Sequence, residues 1–443
     1  MNSESQEQPE ASTVSETFCS EEEFSLLLAE KIRVLIHLDE LATQNQKAQL
    51  SRRVHALVSE QAALVELLLE DHDARYNKTF AGLLELISSL VAFGEIGQGL
   101  KIVALHMRAD GFLGESTVDD AFRAETAQTQ LFADRSVRAL LTAIHSEARS
   151  CCDPNKSDVS PPQLLSPDMA RKRLPHTLGA DDHEDVGAMI ATEASLFLAA
   201  NKTMNDRAPR QKFDDVAAMK VFVSRVCNEE QARFLEAKLQ NIQSRYDTFI
   251  ANTQIELNSQ TLRDFRHALS MSLQLTRILK SLVHFYERHE DDLRTEASKA
   301  RVSELIDKAL VLDRILNYGL YFIYRYMGAG VPAAENLLSE FTTTLVVELD
   351  LPEGVVLHAR PASLIAKIVT HHNMPVTITI DEDSCYAGSI MQVILLAGRH
   401  LEARKVIFDG DHVPVKHLQL LFENRLGEEG LDQLPDELDY LRP

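Results

Sequence analysis

The sequence predicts a mostly α-helical N-terminal region, bundle-like and with room for two subdomains, followed by a small α+β domain at the C-terminus. Three observations carry this reading. From about residue 20 to 328, leucines, valines and phenylalanines recur at spacings of three and four, the period of a helix with one buried face. At residue 342 the period changes, and TTTLVVELDL, PVTITID and RKVIFDG alternate as strands do. The chain, at 443 residues, is also too long for one ordinary core.

Taken in order, residues 1–18 are polar and acidic with almost no large apolar side chains, and read as disordered. Residues 19–150 read as a first helical domain, with glycines confined to expected junctions such as FGEIGQG and ADGFLGES. CCDPNKSDVSPPQLLSPD opens a Pro-, Ser- and Asp-rich stretch, so 151–185 reads as a linker or long loop. Helical spacing resumes over 186–340. Leu262, Phe265, Leu269, Leu275, Ile278, Leu279 and Leu282 make one stripe, and Gly328, Gly330 and Pro332 are expected to end the last helix. Segments ARYNKTFAGLLEL and SRYDTFIANTQIEL resemble one another, which raises an internal duplication or a chance similarity between two helical segments. Residues 341–426 alternate strands and helices in the order βαββαβα. The last stretch, 427–443, holds six acids and one arginine and reads as an acidic tail or strap.

Composition narrows the function. A formal net charge of −22 argues against a nucleic-acid binder and against docking on anionic membranes. No run approaches the roughly 18 apolar residues that a membrane span needs. The acidic start lacks the basic and apolar parts of a signal peptide, so a cytoplasmic protein is expected. Five scattered cysteines with no CxxC pair argue for reduced thiols and against a thiolate metal site. No metal and no cofactor are expected. Among the histidines, His284 and His289 are five apart, wrong for one helix face, and His106, His145, His371 and His372 show no partner spacing.

The stretch GVVLHARPASLIAK concentrates the chemistry. It places His358 at a strand-to-helix junction, where the first helical N–H groups lack intrahelical acceptors and favour an anion. Arg360 adds a fixed cation with donors suited to phosphate oxygens. Pro361 sits in the first turn, where its missing N–H costs nothing. A neutral imidazole there is a nucleophile, and a phosphoryl group on it would gain from both the helix start and the guanidinium. A capping histidine beside a surface arginine is the plainer alternative.

LHARPAS, together with AGSIMQVILLA at 387–397 and the βαββαβα order, resembles HPr, the phosphocarrier family of the bacterial phosphoenolpyruvate-dependent sugar phosphotransferase system. The resemblance covers residues 341–426 and implies an open-faced β-sandwich. It implies that His358 is phosphorylated on its δ nitrogen and that Arg360 neutralises the group. Ser389 matches the serine that a kinase modifies in some members, although a simple N-cap would suit a serine there equally well. Ile390 and Met391 match the apolar docking patch. The partners implied are an enzyme I-type donor and an enzyme II-type or regulatory acceptor. The family usually has glycine where Val356 stands. Because uptake carriers work as bare small domains, the long helical extension points to a regulatory branch, with the helices as an interaction or sensory module. A non-catalytic regulator, whose HPr-like domain binds targets under control of His358 or Ser389 phosphorylation, is the alternative.

Overall fold

A computed structural model describes residues 19–44, 49–152, 186–205, 211–290, 296–342, 344–352, 355, 357–372 and 374–442. The expected disordered start at 1–18 lies outside the described residues, as does the expected linker apart from Cys151 and Cys152. The helical region comprises α1 (Glu21–Gln44), α2 (Arg52–Asp71), α3 (Ala81–His106), α4 (Ser116–Cys151), α5 (Val186–Asn205), α6 (Val216–Val226), α7 (Glu229–Phe249), α8 (Gln254–Asn258), α9 (Gln260–Glu290), α10 (Glu296–Leu305), α11 (Lys308–Asp313) and α12 (Tyr321–Phe341). Contacts divide the chain into two compact units, Met1–Lys101 with Gln130–Met169 and Arg288–Lys308, and Ile102–Thr129 with Ala170–Glu287 and Ala309–Pro443. Segments 19–150 and 186–340 each contribute to both units, because long helices run through the division.

In the first unit α1, α2, α3 and the second half of α4 bury aliphatic stripes that include Leu28, Ile32, Val58, Val65, Leu90, Leu140 and Ile144. The expected junction FGEIGQG is instead mid-helix in α3. The reason is close approach: a Cβ on Gly97 would fall 2.2 Å from the His55 ring, and one on Gly94 2.8 Å from Ser59 Cβ, both on α2. The fully buried His55 reaches Asp134 at 2.8 Å, and Asp134 also accepts the Leu50 N–H. α3 is, among the described residues, the one helix long and apolar enough to cross a membrane, and 72% of its most apolar window is buried in the structure.

The helical part of the second unit has the predicted α9 stripe fully buried, with Phe197 of α5, Tyr246 of α7 and Phe322 of α12. Between α11 and α12, Arg314–Leu320 widens into a π-helix with every residue buried. Its polar side chains are satisfied by Glu125 and Thr129 on Arg314, by Thr126 on Tyr318, and by the Phe213 backbone on both ends of the Asn317 amide. Gly328, Gly330 and Pro332 do not end α12, which continues to Phe341 with the proline inside it. A Cβ on Gly330 would meet Ala268 at 2.6 Å, so this glycine too marks contact between helices. The two tyrosines paired by the suspected duplication differ: Tyr76 is 84% exposed, whereas Tyr246 is buried and donates to Glu256.

Two residues after α12 the C-terminal domain begins. It follows the predicted order β1 (Thr344–Asp350), α13 (Ala359–His372), β2 (Val376–Ile380), β3 (Asp383–Tyr386), α14 (Ile390–Arg399), β4 (Lys405–Asp411) and α15 (His412–Glu423). The sheet is antiparallel in the order β1-β4-β2-β3. Alternation explains its two faces: Val376, Ile378, Val406 and Phe408 are buried with the helices, whereas Val346, Glu348 and Thr377 face away. The open-faced sandwich expected from the resemblance is present.

The acidic segment after 426 does not trail away. It runs through 3₁₀ turns at Arg425–Gly427, Leu431–Gln433 and Asp436–Leu441, and buries Leu434, Leu438 and Leu441 in the same core as α13 and α15. Leu438 is fully buried. Leu438→Ala is therefore expected to cost the C-terminal domain about 2–5 kcal/mol, read by chemical denaturation. A change below about 1 kcal/mol would show that this segment is not part of the core.

Candidate functional site

The site is built where the chain enters α13. Ala362, Ile365, Ala366 and Val369 fix the helix on the sheet, so its first turn is held rigidly at the domain edge. His358 precedes that turn, and its carbonyl accepts the Ala362 N–H at 3.1 Å. The imidazole is 55% exposed. Its Nδ1 accepts the backbone N–H of Arg360 at 3.3 Å, which assigns the ring proton to Nε2. Nε2 faces Glu428 Oε1 at 3.4 Å. The resulting tautomer leaves the Nδ1 lone pair at the start of the helix.

Arg360 lies two residues further on, in the first turn of α13. Its guanidinium donates to the Gly427 carbonyl at 3.0 Å, one residue before Glu428. The backbone there is unusual: Arg425, Leu426 and Gly427 have φ of 48°, 55° and 70°. Left-handed backbone costs a residue with a side chain roughly 1–2 kcal/mol, and such cost is met chiefly at functional sites. Here it is met by burial of Leu426 beneath α13 and α15, and it turns both the Gly427 carbonyl and the Glu428 carboxylate toward the His358–Arg360 pair.

Glu428 and Gly427 could not be chosen from the sequence, since they lie about 70 residues from His358 inside a stretch read as a tail. Val356, where the family has glycine, lies outside the described residues.

Ser389, Ile390 and Met391 open α14, which packs beside α13. Ser389 is the N-cap, its hydroxyl accepting the Gln392 N–H at 3.4 Å. Ile390, Met391 and Leu395 are 45%, 66% and 56% exposed, an apolar surface that the domain core does not use.

An exposed histidine at the start of the first helix of a βαββαβα open-faced sandwich is the arrangement that the resemblance to HPr implies. A family model described as the PTS HPr component phosphorylation site matches residues 346–423, and the chain therefore carries an HPr domain at its C-terminus. The match supports a phosphocarrier-like role in that system and does not reach the helical region. No curated protein and no solved structure matches the chain.

The far end of α14 holds a second charged group. His400 caps it, with Nδ1 on Asp381 at 2.8 Å and Nε2 on Asp383 at 3.0 Å. The Asp383 hydrogen bond, followed by that of Asp381, holds the imidazole above its ordinary value, against an opposing effect of burial. The folded domain thus prefers the imidazolium. Its stabilisation is complete below the unfolded-chain value of about 6.5 and is lost as pH rises through the elevated folded value. Urea titrations of wild type and His400→Gln from about pH 6 to pH 8 should show a stability difference that shrinks as pH rises. A difference independent of pH would show that the bridge does not titrate.

Proposed function

We propose that the protein is a cytoplasmic phosphocarrier in which His358 accepts a phosphoryl group from an enzyme I-type donor and passes it to an acceptor of a regulatory branch. The helical region serves as the interaction or sensory module. The observation that carries this reading is the grouping at His358 of the helix start, the Glu428 carboxylate on Nε2, and Arg360, whose guanidinium is held on the carbonyl of the neighbouring Gly427.

The chemistry follows from those roles. The Nδ1 lone pair attacks the phosphorus of the donor's phosphohistidine, the new N–P bond forms as the donor's N–P bond breaks, and the donor imidazole leaves. Arg360 N–H, released from Nδ1, becomes a donor to a phosphate oxygen, at an exchange near 1 kcal/mol. The added anion meets the positive end of α13. Arg360 supplies charge-assisted donors to it. Glu428 keeps the Nε2 proton in place, so the ring presents Nδ1 as nucleophile and retains a proton on Nε2 once phosphorylated. Exposure of the imidazole keeps the group within reach of an acceptor, and the transfer reversible.

Incubation with phosphoenolpyruvate and a cognate enzyme I, followed by intact-mass measurement, should add one acid-labile phosphoryl group to wild type and none to His358→Ala. Loss of one charge-assisted contact, worth about 1.5–3 kcal/mol, should slow acceptance roughly 10- to 100-fold in Arg360→Ala. No gain in the wild type would sink the carrier reading. Attention would then move to a regulator that docks through Ile390 and Met391 under control of Ser389.

A further inference from the structure

A polar cluster that phosphoryl transfer does not use lies where three pieces of the C-terminal domain meet. His372 is the last residue of α13, His417 is in the middle of α15, and Tyr440 belongs to the final 3₁₀ turn. The turn is well anchored. Leu438 and Leu441 are in the core, Lys367 Nζ donates to the Leu441 carbonyl at 3.1 Å, and the Tyr440 ring stacks on His371 with centroids 3.7 Å apart.

We propose that His372 Nε2, His417 Nδ1 and Tyr440 Oη form a binding site for a first-row divalent cation of the Zn²⁺ type. The three atoms are separated by 3.1, 2.9 and 3.4 Å. Donors at roughly 2.0–2.1 Å from a tetrahedral centre stand about 3.3 Å apart, so the triangle has the dimensions of one face of such a tetrahedron. Two imidazoles and an oxygen suit Zn²⁺ and its neighbours in the first row better than Ca²⁺ or Mg²⁺. A bound cation favours the phenolate of Tyr440, so binding releases the phenolic proton to solvent. The fourth position falls to water.

Among the described residues no three His, Cys, Asp or Glu side chains converge as a metal cluster, and the third donor here is a phenol. Local spacing gives His372 no partner because both partners lie far along the chain, 45 and 68 residues away. A cation bound here would tie the final turn to α13 and α15. The stretch it ties down is continuous with the one that presents Glu428 to His358.

The test uses the full-length protein, stripped with a chelator and titrated with Co²⁺ alone, then with Zn²⁺ as competitor. The proposal expects a single equivalent to give the visible d–d bands of tetrahedral Co²⁺ without a thiolate-to-cobalt charge-transfer band. Zn²⁺ should abolish those bands and raise the melting temperature. His372→Gln and His417→Gln should each weaken binding by roughly 100-fold or more, Tyr440→Phe by roughly 10- to 100-fold, and His371→Ala should keep the bands. Absence of tetrahedral bands in the wild type overturns the proposal, as does their persistence in folded His372→Gln or His417→Gln. Should either of those variants fail to fold, an unchanged affinity and spectrum in Tyr440→Phe overturns it instead.

Discussion

A helix has to begin with N–H groups that no residue of its own can accept, and the C-terminal domain is organised around that constraint at α13. The apolar face of the helix fixes where its first turn stands, and His358 supplies the capping carbonyl. One orphan donor is removed by Pro361, and another, on Arg360, rests on the imidazole itself. What remains is a positive helix end beside an exposed imidazole. The rest of the site answers the geometry so created. A turn with three consecutive left-handed residues brings a carbonyl to the guanidinium and a carboxylate to the imidazole.

The division of labour between the two ends of this domain is electrostatic. At His358 the imidazole is exposed and its proton position is fixed by one neighbour on each nitrogen. At His400 two carboxylates favour the charged ring, and at His372 burial favours the neutral one. His400 and His372 of one small fold thus stand in opposite protonation environments, each set by what the surrounding elements place against the ring.

The sandwich was legible because alternation and helical spacing are local properties. The same holds for His358 and Arg360, two residues apart at a strand-to-helix boundary. What could not be read locally was contact across long separations. Gly94, Gly97 and Gly330 look like punctuation, yet each lies inside a helix at a point where His55, Ser59 or Ala268 from a neighbouring helix leaves no room for a Cβ. Pro332 likewise reads as a stop and is carried within α12. The segment after 426 looked like an acidic tail because its acids outnumber its anchors. Leu434, Leu438 and Leu441 do stand at spacings of four and three, but three apolar residues around Pro435 and among the acids make too short a run to show as a buried face.

The passage from α12 to β1 has a mechanical consequence. Only residues 342 and 343 separate the last helical residue, Phe341, from the first strand residue, Thr344. A link that short spans roughly 7–10 Å at full extension, so the carrier domain has no tether with which to search a large volume. Its encounters are those of the chain to which it is joined, and its diffusion is slowed by the mass of the helical region.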